Sequence, residues 1–308
     1  MLGDQLAYVA LAVRETEAAV QLFEKTLELP RTEMDAGGSK VPVFTIGDAS
    51  LAVFPLGHPY LDGFDKPGVH HIGLSAKDVH AAAKTAFDAG AAILPGERPS
   101  LGGGSRIAVN PEHTASVNTW ICQAIELPRS HSSHVERIDH LGIASADNRN
   151  AVEAWCTRLK RPLESQQTDM EVSMAVESFT SDKYGVVYHT REPEPVGGLR
   201  VAFISVGDCE LEFLQNFDPG HSAHVEAMQA GTTRQDQGAI TKFIGSRGAG
   251  LHHVAFKAKD INRTLATLDR AGIPVIDHVG RPGSRRAQIG FVRPRGVGGV
   301  LVHFVQRD

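Results

Sequence analysis

The chain has 308 residues, of which 42% are hydrophobic and 22% charged. These values are ordinary for a soluble globular protein, and they exclude disordered, collagen-like and membrane-spanning classes. A formal net charge of −5 offers no broad basic field to nucleic acid or to an anionic membrane. At roughly 100–200 residues per domain, the length predicts two domains.

Cysteine and histidine usage narrows the chemistry. Cys122, Cys156 and Cys209 are far apart and form no CxxC pair, which argues against a disulfide scaffold or a structural zinc site. This usage, with no signal-peptide pattern at the N-terminus, favours a cytoplasmic setting. The 15 histidines are many for this length, and because histidine is the commonest metal ligand, they direct the search for a site.

The first half of the chain predicts two strand–helix–strand units. LAYVALAV (6–13) alternates as a strand and precedes the amphipathic stretch ETEAAVQLFEKTLEL (15–29) and the strands of VPVFTIGDASLAVF (41–54). HHIGLSAKDV (70–79) begins the second unit, in which Asp78 caps a helix that ends near Gly90. The strands of RIAVNPEHTASVNTWIC (106–122) complete this unit.

The second half repeats this order after the polar stretch ELPRSHSSHVER (126–137). IDHLGIAS (138–145), a helix in 146–161 and the strands of 198–213 form the third unit. HHVAFKAKDI (252–261), a helix from Asp260 to near Gly272 and the strands of AQIGFVRPRGVGGVLVHFV (287–305) form the fourth.

The repeats predict an α+β fold of tandem βαβββ modules, two per domain, with cupped mixed sheets and helices outside. We place one domain at residues 1–130 and a second at 131–308. The second is longer because it carries extra segments at 164–198 and 216–249, and such excursions are typical of lids or binding loops.

Strand alternation places four ligand-capable side chains at corresponding positions of the second half. These are His140, Glu212, His253 and His303. Glu210 shares the face of Glu212 and is a candidate for proton transfer. The same alternation puts His252, like its counterpart His70, on the helix-facing side as a structural residue.

An arginine cluster, Arg281, Arg285 and Arg286, follows the last helix. Two interpretations stay open for it: contact with an anionic substrate, or a solvated loop.

These features resemble the vicinal oxygen chelate superfamily, which includes glyoxalases, bleomycin-resistance proteins and extradiol dioxygenases. The second half is most similar to methylmalonyl-CoA epimerase, in IDHLGIA, GLHHVAFKAKDI, IGFVRP and GVLVHFVQ. The resemblance implies metal ligation by His140, Glu212 and His253, with His303 standing where the family has glutamate. Imidazole is itself a good metal ligand, so the resemblance implies one bound divalent ion: Zn, Co, Ni, Mn or Fe.

The first half lacks such a set. The equivalent positions hold Tyr8, Ala52, His71 and Trp120, and a single histidine cannot hold a catalytic ion. We therefore expect a degenerate domain without metal, similar to the two-domain extradiol dioxygenases, whose metal lies in the second domain.

The resemblance implies an enzyme that binds a small carbonyl or carboxylate substrate, including an acyl-CoA, through vicinal oxygens. An open metal site of this kind supports epimerase, isomerase or lyase chemistry through an enolate. One alternative is a non-haem iron or manganese dioxygenase of the extradiol, ring-cleaving type. Another is a non-catalytic small-molecule binding or resistance protein. The expected partner is a small molecule, not nucleic acid or membrane, and a homodimer is left open.

Overall fold

A computed structural model of the chain describes residues 3–128, 130–217 and 233–307. Residues 5–122 form a curled mixed sheet of eight strands in the order β2-β3-β4-β1-β5-β8-β7-β6. Its strands are β1 (Gln5–Val13), β2 (Arg31–Asp35), β3 (Lys40–Ile46), β4 (Ala49–Pro55), β5 (Gly68–Ser75), β6 (Arg98–Pro99), β7 (Ser105–Val109) and β8 (Thr119–Cys122).

The second half repeats this sheet in the order β10-β13-β14-β9-β15-β18-β17-β16, with β11 and β12 as a separate hairpin. Its strands are β9 (Val135–Ala144), β10 (Leu163–Ser173), β11 (Val176–Ser181), β12 (Gly185–Thr190), β13 (Glu194–Val206), β14 (Cys209–Asn216), β15 (Gly250–Ala258), β16 (Arg281–Pro282), β17 (Gln288–Val292) and β18 (Val302–Gln306). The identical order confirms the predicted tandem modules and their cupped mixed sheets.

Four of the five described helices lie where the sequence predicts them, the exception being the helix Thr233–Arg247, and the first of each half ends in a π-helical turn. They are α1 (Thr16–Val20) with the π turn Gln21–Thr26, α2 (Val79–Asp88), α3 (Asn148–Val152) with the π turn Glu153–Arg158, α4 (Thr233–Arg247) and α5 (Ile261–Arg270). Short 3₁₀ turns cover Pro59–Leu61, Pro111–His113, Ser284–Arg286 and Pro294–Val297. Among the described helices, none has the length and apolarity that crossing a bilayer requires.

Both predicted caps form with the same geometry. Asp78 accepts a hydrogen bond from the backbone N–H of Ala81 at 2.9 Å, and Asp260 accepts one from Arg263 at 2.9 Å. Gly90 and Gly272 follow the two helices with φ of +87° and +75°, a left-handed conformation that glycine adopts at little cost. The sequence repeat is thus a structural repeat.

The helix-facing sides of both sheets contribute to one continuous hydrophobic core. Phe23 beside α1 packs edge-on against Phe256 of β15, with ring centroids 6.0 Å apart. Trp155 of the second half donates its indole N–H to the carbonyl of Thr114 in the first half at 2.9 Å. The division into two domains at residue 130 stays a prediction, because this core spans both sheets.

The two extra segments of the second half have different structures. Segment 164–198 extends β10 and β13 and adds the exposed β11–β12 hairpin. Of segment 216–249, residues 218–232 lie outside the described part of the chain, and the remainder contains α4. Helix α4 packs on β13 and β14, on the side of the sheet opposite the shared core. It is therefore an element of the second half's inner face.

Candidate metal centre

Strand pairing brings two of the predicted ligands together across Gly142 of β9. Gly142 pairs with Glu212 of β14 on one side and with His253 of β15 on the other. A β-carbon on Gly142 would lie 2.0 Å from Cε1 of His253, closer than any real contact. Glycine is therefore required here so that the imidazole ring can lie across β9, and sequence reasoning did not assign this role.

The other two predicted ligands are separated in the same way by Ala255 of β15. Ala255 pairs with His140 of β9 on one side and with His303 of β18 on the other. A small residue thus lies between each pair of candidate ligands, and the four larger side chains all project from the inner face of the sheet.

The four side chains form one buried cluster. The ligand nitrogens of His140, His253 and His303 all lie within 4.8 Å of one another. Oε2 of Glu212 lies 3.1 Å from Nε2 of His140 and 3.6 Å from Nε2 of His253. Each of the four residues is at most 5% exposed. The arrangement is therefore a compact set of three imidazoles and one carboxylate.

Several nitrogens in this cluster lack hydrogen-bond partners. Within the described residues, Nε2 of His140, Nε2 of His253 and both ring nitrogens of His303 are buried without a properly oriented partner. Leaving buried polar atoms unpaired is costly unless something else satisfies them. Imidazole and carboxylate are donors that suit zinc and the neighbouring divalent transition metals, so these residues fit the ion that the fold implies.

Burial and neighbouring charges give the three histidines different pKa values. Burial acts to lower the pKa of His140, but the carboxylates of Glu212 and Asp139 outweigh it and raise that pKa to about 9. Burial lowers the pKa of His253 and holds that of His303 well below the usual range. Although burial opposes it, the neighbouring histidines hold the pKa of Glu212 well below its usual value. His140 is thus the protonated partner of Glu212.

The cluster forms part of the wall of a cavity of about 800 Å³, which is large enough for a small-molecule ligand. The rest of the wall is mostly apolar and comes from both extra segments as well as from the sheet. Residues of this apolar lining include Met170, Leu199, Phe203, Leu214, Ile240, Ile276, Ile289, Phe291 and Leu301.

Two charged residues of the same wall form an ion pair. Arg281 donates to both carboxylate oxygens of Asp236, at 3.2 and 3.4 Å, and its Nε lies 3.3 Å from Asp277. The Asp236 side chain is 35% exposed and lines the cavity. Burial raises the pKa of Asp236, and Asp277 and Glu212 raise it further, against the opposite effect of Arg281. Asp236 lies in an extra segment, where no sequence signal singled it out.

For two members of the arginine cluster the structure contradicts the solvated-loop interpretation, whereas contact with an anionic substrate stays a prediction. Arg281 lines the cavity, and Arg285 lies over the ring of Phe203 at 3.6 Å, with each side chain under a fifth exposed. The solvated-loop interpretation is wrong for these two because carboxylates and aromatic rings hold them, whereas Arg286 is exposed.

Glu210 lies next to the cluster but in an ion-pair network of its own. Its carboxylate accepts hydrogen bonds from Arg285, at 3.0 Å for one of them, and lies 3.6 Å from Nη1 of Arg307. It is absent from the described cavity lining. The proton-transfer role expected for Glu210 stays a prediction, and these ion pairs favour a structural role instead.

The prediction that His252 faces the helices is wrong. A bulge between Leu251 and His253 shifts the register of β15, so Leu251 enters the shared core and His252 lines the cavity. Nδ1 of His252 lies 3.0 Å from Nδ1 of His253. His70 makes the same contact with His71, at 2.7 Å.

In the first half a buried arginine lies beside the positions equivalent to the candidate ligands. Ala10 pairs with Ala52 and His71, and Gly73 pairs with Tyr8 and Trp120, as the alignment of the halves predicts. Arg106 of β7, only 1% exposed, lies 3.1 Å from Nε2 of His71.

Arg106 is held by aromatic rings and acceptors. Its guanidinium lies 3.5 Å from the ring centre of Tyr60 and 4.0 Å from that of Trp120, and it donates to the carbonyl of Tyr60 at 2.7 Å. Because arginine can only donate, Nε2 of His71 accepts and the proton of that ring lies on Nδ1, facing His70. No metal-ligand cluster is found in the described first half, in agreement with this packing.

Comparisons with known proteins agree with this fold. Residues 139–291 match the Glyoxalase/Bleomycin resistance protein/Dioxygenase superfamily, which confirms the resemblance inferred from the sequence. The chain is 26% identical over 129 residues to the uncharacterised protein YqjC of Bacillus subtilis (strain 168), covering 42% of this chain and 80% of that protein. It is 23% identical over 131 residues to the mitochondrial methylmalonyl-CoA epimerase of Dictyostelium discoideum, covering 41% and 69%.

One structural similarity extends over the whole chain. A mutant 4-hydroxymandelate synthase from Streptomyces coelicolor superposes with a TM-score of 0.64 at 16% identity, covering 100% of this chain and 94% of that one. At this identity the similarity concerns the fold alone. The arrangement of two tandem halves therefore has a counterpart among solved enzymes.

Proposed function

Because residues 139–291 form a domain of the glyoxalase/bleomycin resistance/dioxygenase superfamily, we propose that this chain is a divalent-metal-dependent vicinal oxygen chelate enzyme. In this proposal His140, Glu212, His253 and His303 hold the ion. The observation that supports it best is the convergence of three buried imidazoles and a carboxylate on the wall of a large cavity.

The proposed reaction is epimerisation, isomerisation or elimination at a carbon next to a carbonyl. A bound divalent ion would polarise the carbonyl and stabilise the enolate that forms when this carbon loses its proton. The apolar wall would exclude water and so strengthen the electrostatic interactions inside the cavity. Since His303 stands where the related enzymes have glutamate, the site is one unit more positive, which favours an anionic chelating group.

Proton transfer needs a group that reaches the cavity. Both Asp236 and Glu210 are paired with arginine, but we infer that Asp236 fits this role better because its side chain lines the cavity, whereas Glu210 is absent from the described lining. A carboxyl with a raised pKa is a more effective acid and base near neutral pH. Removing such a group costs roughly 10²–10⁴-fold in rate.

The test is proton exchange in D₂O with metal-loaded protein. We expect purified protein to bind a divalent ion and to exchange the α-proton of methylmalonyl-CoA or of an uncharged α-hydroxy ketone, followed by NMR. Asp236→Asn should lose most of this exchange, whereas Asp169→Asn, a change in a second aspartate of the cavity wall, should retain it. Protein that binds no metal after careful purification contradicts the proposal.

A second candidate is a dioxygenase, and the packing of the first half favours it. Arg106 occupies the equivalent region of that half, as expected for a two-domain enzyme with a single metal in its second domain. A three-histidine, one-carboxylate set also suits iron or manganese. Oxygen uptake by the iron-loaded protein with a catechol, without proton exchange in the first assay, would favour this candidate.

A further inference from the structure

The three candidate histidine ligands differ in what contacts their second ring nitrogen. A metal-ligating histidine ordinarily donates its other N–H to a carboxylate, a carbonyl or water, and this contact fixes both the tautomer and the ring orientation. In this cluster His140 has a carboxylate partner, His253 has another imidazole, and His303 has no partner within the described residues.

The carboxylate partner of His140 is the preceding residue, Asp139. Oδ2 of Asp139 lies 2.9 Å from Nδ1 of His140, and Asp139 is 1% exposed. A carboxylate that accepts this bond stabilises the form of the ring with its proton on Nδ1. When the ring is neutral, as metal ligation requires, Nε2, which faces Glu212 and His253, carries no proton.

Arginines hold Asp139 in this position. Arg307, beyond the end of β18, donates to the same oxygen, Oδ2, and Nη2 of Arg137 lies 3.4 Å from Oδ1. Arg307 also contacts Glu210, which Arg285 binds from the loop before β17. The Asp139 carboxylate is thus buried but paired, a condition for keeping its charge inside the protein.

The first half has no acidic residue at the position equivalent to Asp139. Residue 7, which precedes Tyr8 as Asp139 precedes His140, is alanine. The residue next to the candidate ligand is therefore acidic only in the half that has the ligand cluster.

We propose that Asp139 is a positioning residue that holds His140 with its proton on Nδ1 and its Nε2 free for the metal ion, and that Arg307 in turn holds Asp139. This inference rests on the proposed metal centre. It assigns a metal-centre role to two residues that are not themselves ligands and that lie at opposite ends of the second sheet's sequence.

Asp139→Asn tests the inference directly. An amide keeps the size of the side chain, but its NH₂ group can donate to Nδ1 and so favour the tautomer with the proton on Nε2. We expect the apparent Kd for Zn²⁺, measured by competition with a chromophoric chelator, to rise about 10- to 100-fold. Above about pH 9, where the His140 ring is neutral, the ¹⁵N–¹H spectra of the histidine rings should show a changed tautomer for His140, which a merely structural role would leave unchanged.

The matched control is Asp277→Asn. Asp277 is also a buried aspartate paired with an arginine, but its other partner is the backbone N–H of Phe291 and not a candidate ligand. We expect this variant to retain the wild-type Kd for Zn²⁺. Equal losses in both variants would overturn the inference, since the effect would then come from disturbing the buried wall.

A second variant keeps the test decisive if Asp139→Asn does not fold. Arg307→Gln, near the chain end and 23% exposed in its side chain, should fold and weaken Zn²⁺ binding by less than the asparagine variant. Unchanged affinity in the folded variants, or an unchanged His140 tautomer, overturns the inference while leaving the metal centre in place. Wild-type protein that binds no Zn²⁺ overturns the metal centre itself, and the inference with it.

Discussion

The two halves of the molecule have the same strand order and register, yet the four equivalent inner positions are filled differently. The second half has three histidines and a glutamate around unpartnered nitrogens. The first half has Tyr8, Ala52, His71 and Trp120, with Arg106 donating to His71. The nitrogen that accepts from Arg106 is equivalent to the one that His253 directs into the candidate metal cluster.

The difference shows that the same scaffold can surround its inner histidines in two ways. In the first half a guanidinium lies between two aromatic rings and satisfies His71 within the protein. In the second half Nε2 of His140 and of His253 face the carboxylate of Glu212, and both nitrogens of His303 lack a hydrogen-bond partner within the described residues. In both halves Nδ1 of the inner histidine contacts Nδ1 of the preceding histidine: His71 contacts His70, and His253 contacts His252. The proposed metal ion would therefore bind in the second half.

The most severe test of the comparison is ligand removal. We expect His140→Ala and His253→Ala each to lose nearly all bound metal, measured by elemental mass spectrometry after dialysis. His71→Ala, the equivalent change in the first half, should leave the metal content unchanged because His71 is satisfied by Arg106 and Tyr8. Equal metal loss in all three variants would refute the single-site interpretation.

Removal of the buried arginine tests the first half. Arg106→Ala leaves a cavity and unpairs the carbonyl of Tyr60, so we expect the free energy of unfolding to fall by about 3 kcal/mol. Arg31→Ala, which removes an exposed ion pair with Glu33, should cost no more than about 1 kcal/mol. Urea unfolding measures both, and a loss of metal in the Arg106 variant would contradict the separation of the halves.

The proposed metal site predicts that metal binding depends on pH. Ligation requires neutral His140, whose pKa is about 9 in the metal-free protein, so metal must displace a proton at neutral pH. We expect Zn²⁺ affinity to rise about tenfold per pH unit from pH 7 to about 9. Calorimetry in buffers of different ionisation enthalpy would measure the released proton, and affinity independent of pH in this range would be inconsistent with it.

The same shift has the opposite effect on the stability of the metal-free protein. The pKa of His140 in the folded state lies above the unfolded value of about 6.5. Its contribution is therefore complete below about pH 6.5 and is lost as the pH rises through about 9. Removing the metal should thus expose a loss of stability at alkaline pH.

The smallest expected change in stability concerns the helix caps that the two halves share. Asp78→Ala and Asp260→Ala each remove a side-chain cap of 2.9 Å, so each should lower the free energy of unfolding by about 1 kcal/mol. Metal content should not change in either variant. Markedly unequal losses, measured by urea unfolding, would show that the scaffold repeat is not energetically equivalent in the two halves.

Much of the fold and the four candidate ligands could be predicted because their signals are local. Helix caps depend on neighbours three residues away, and strand alternation assigns Leu141 and Ile143 to the core and His140 to the inner face. The internal repeat then aligned the halves, and the pairing of Ala255 with His140 and His303 agrees with that alignment.

Where prediction failed, contacts distant in sequence were decisive. The bulge in β15 is not visible in the sequence, so simple alternation assigns His252 to the wrong face of the sheet. Asp236 lies on α4, a helix that the internal repeat does not predict, and its partner Arg281 lies 45 residues further along the chain. Composition cannot reveal that aromatic rings of two other segments surround the buried guanidinium of Arg106.

The sequence by itself therefore determined the tandem βαβββ scaffold, its capped helices and the strand positions from which His140, Glu212, His253 and His303 project. Periodicity and capping act over a few residues, so they can be read from one chain. Only the tertiary structure decided which nitrogens are satisfied, that Asp139 and Arg307 stand behind His140, and that Arg106 fills the first half. Such pairing depends on desolvation and on partners tens to more than a hundred residues away, which local patterns do not encode.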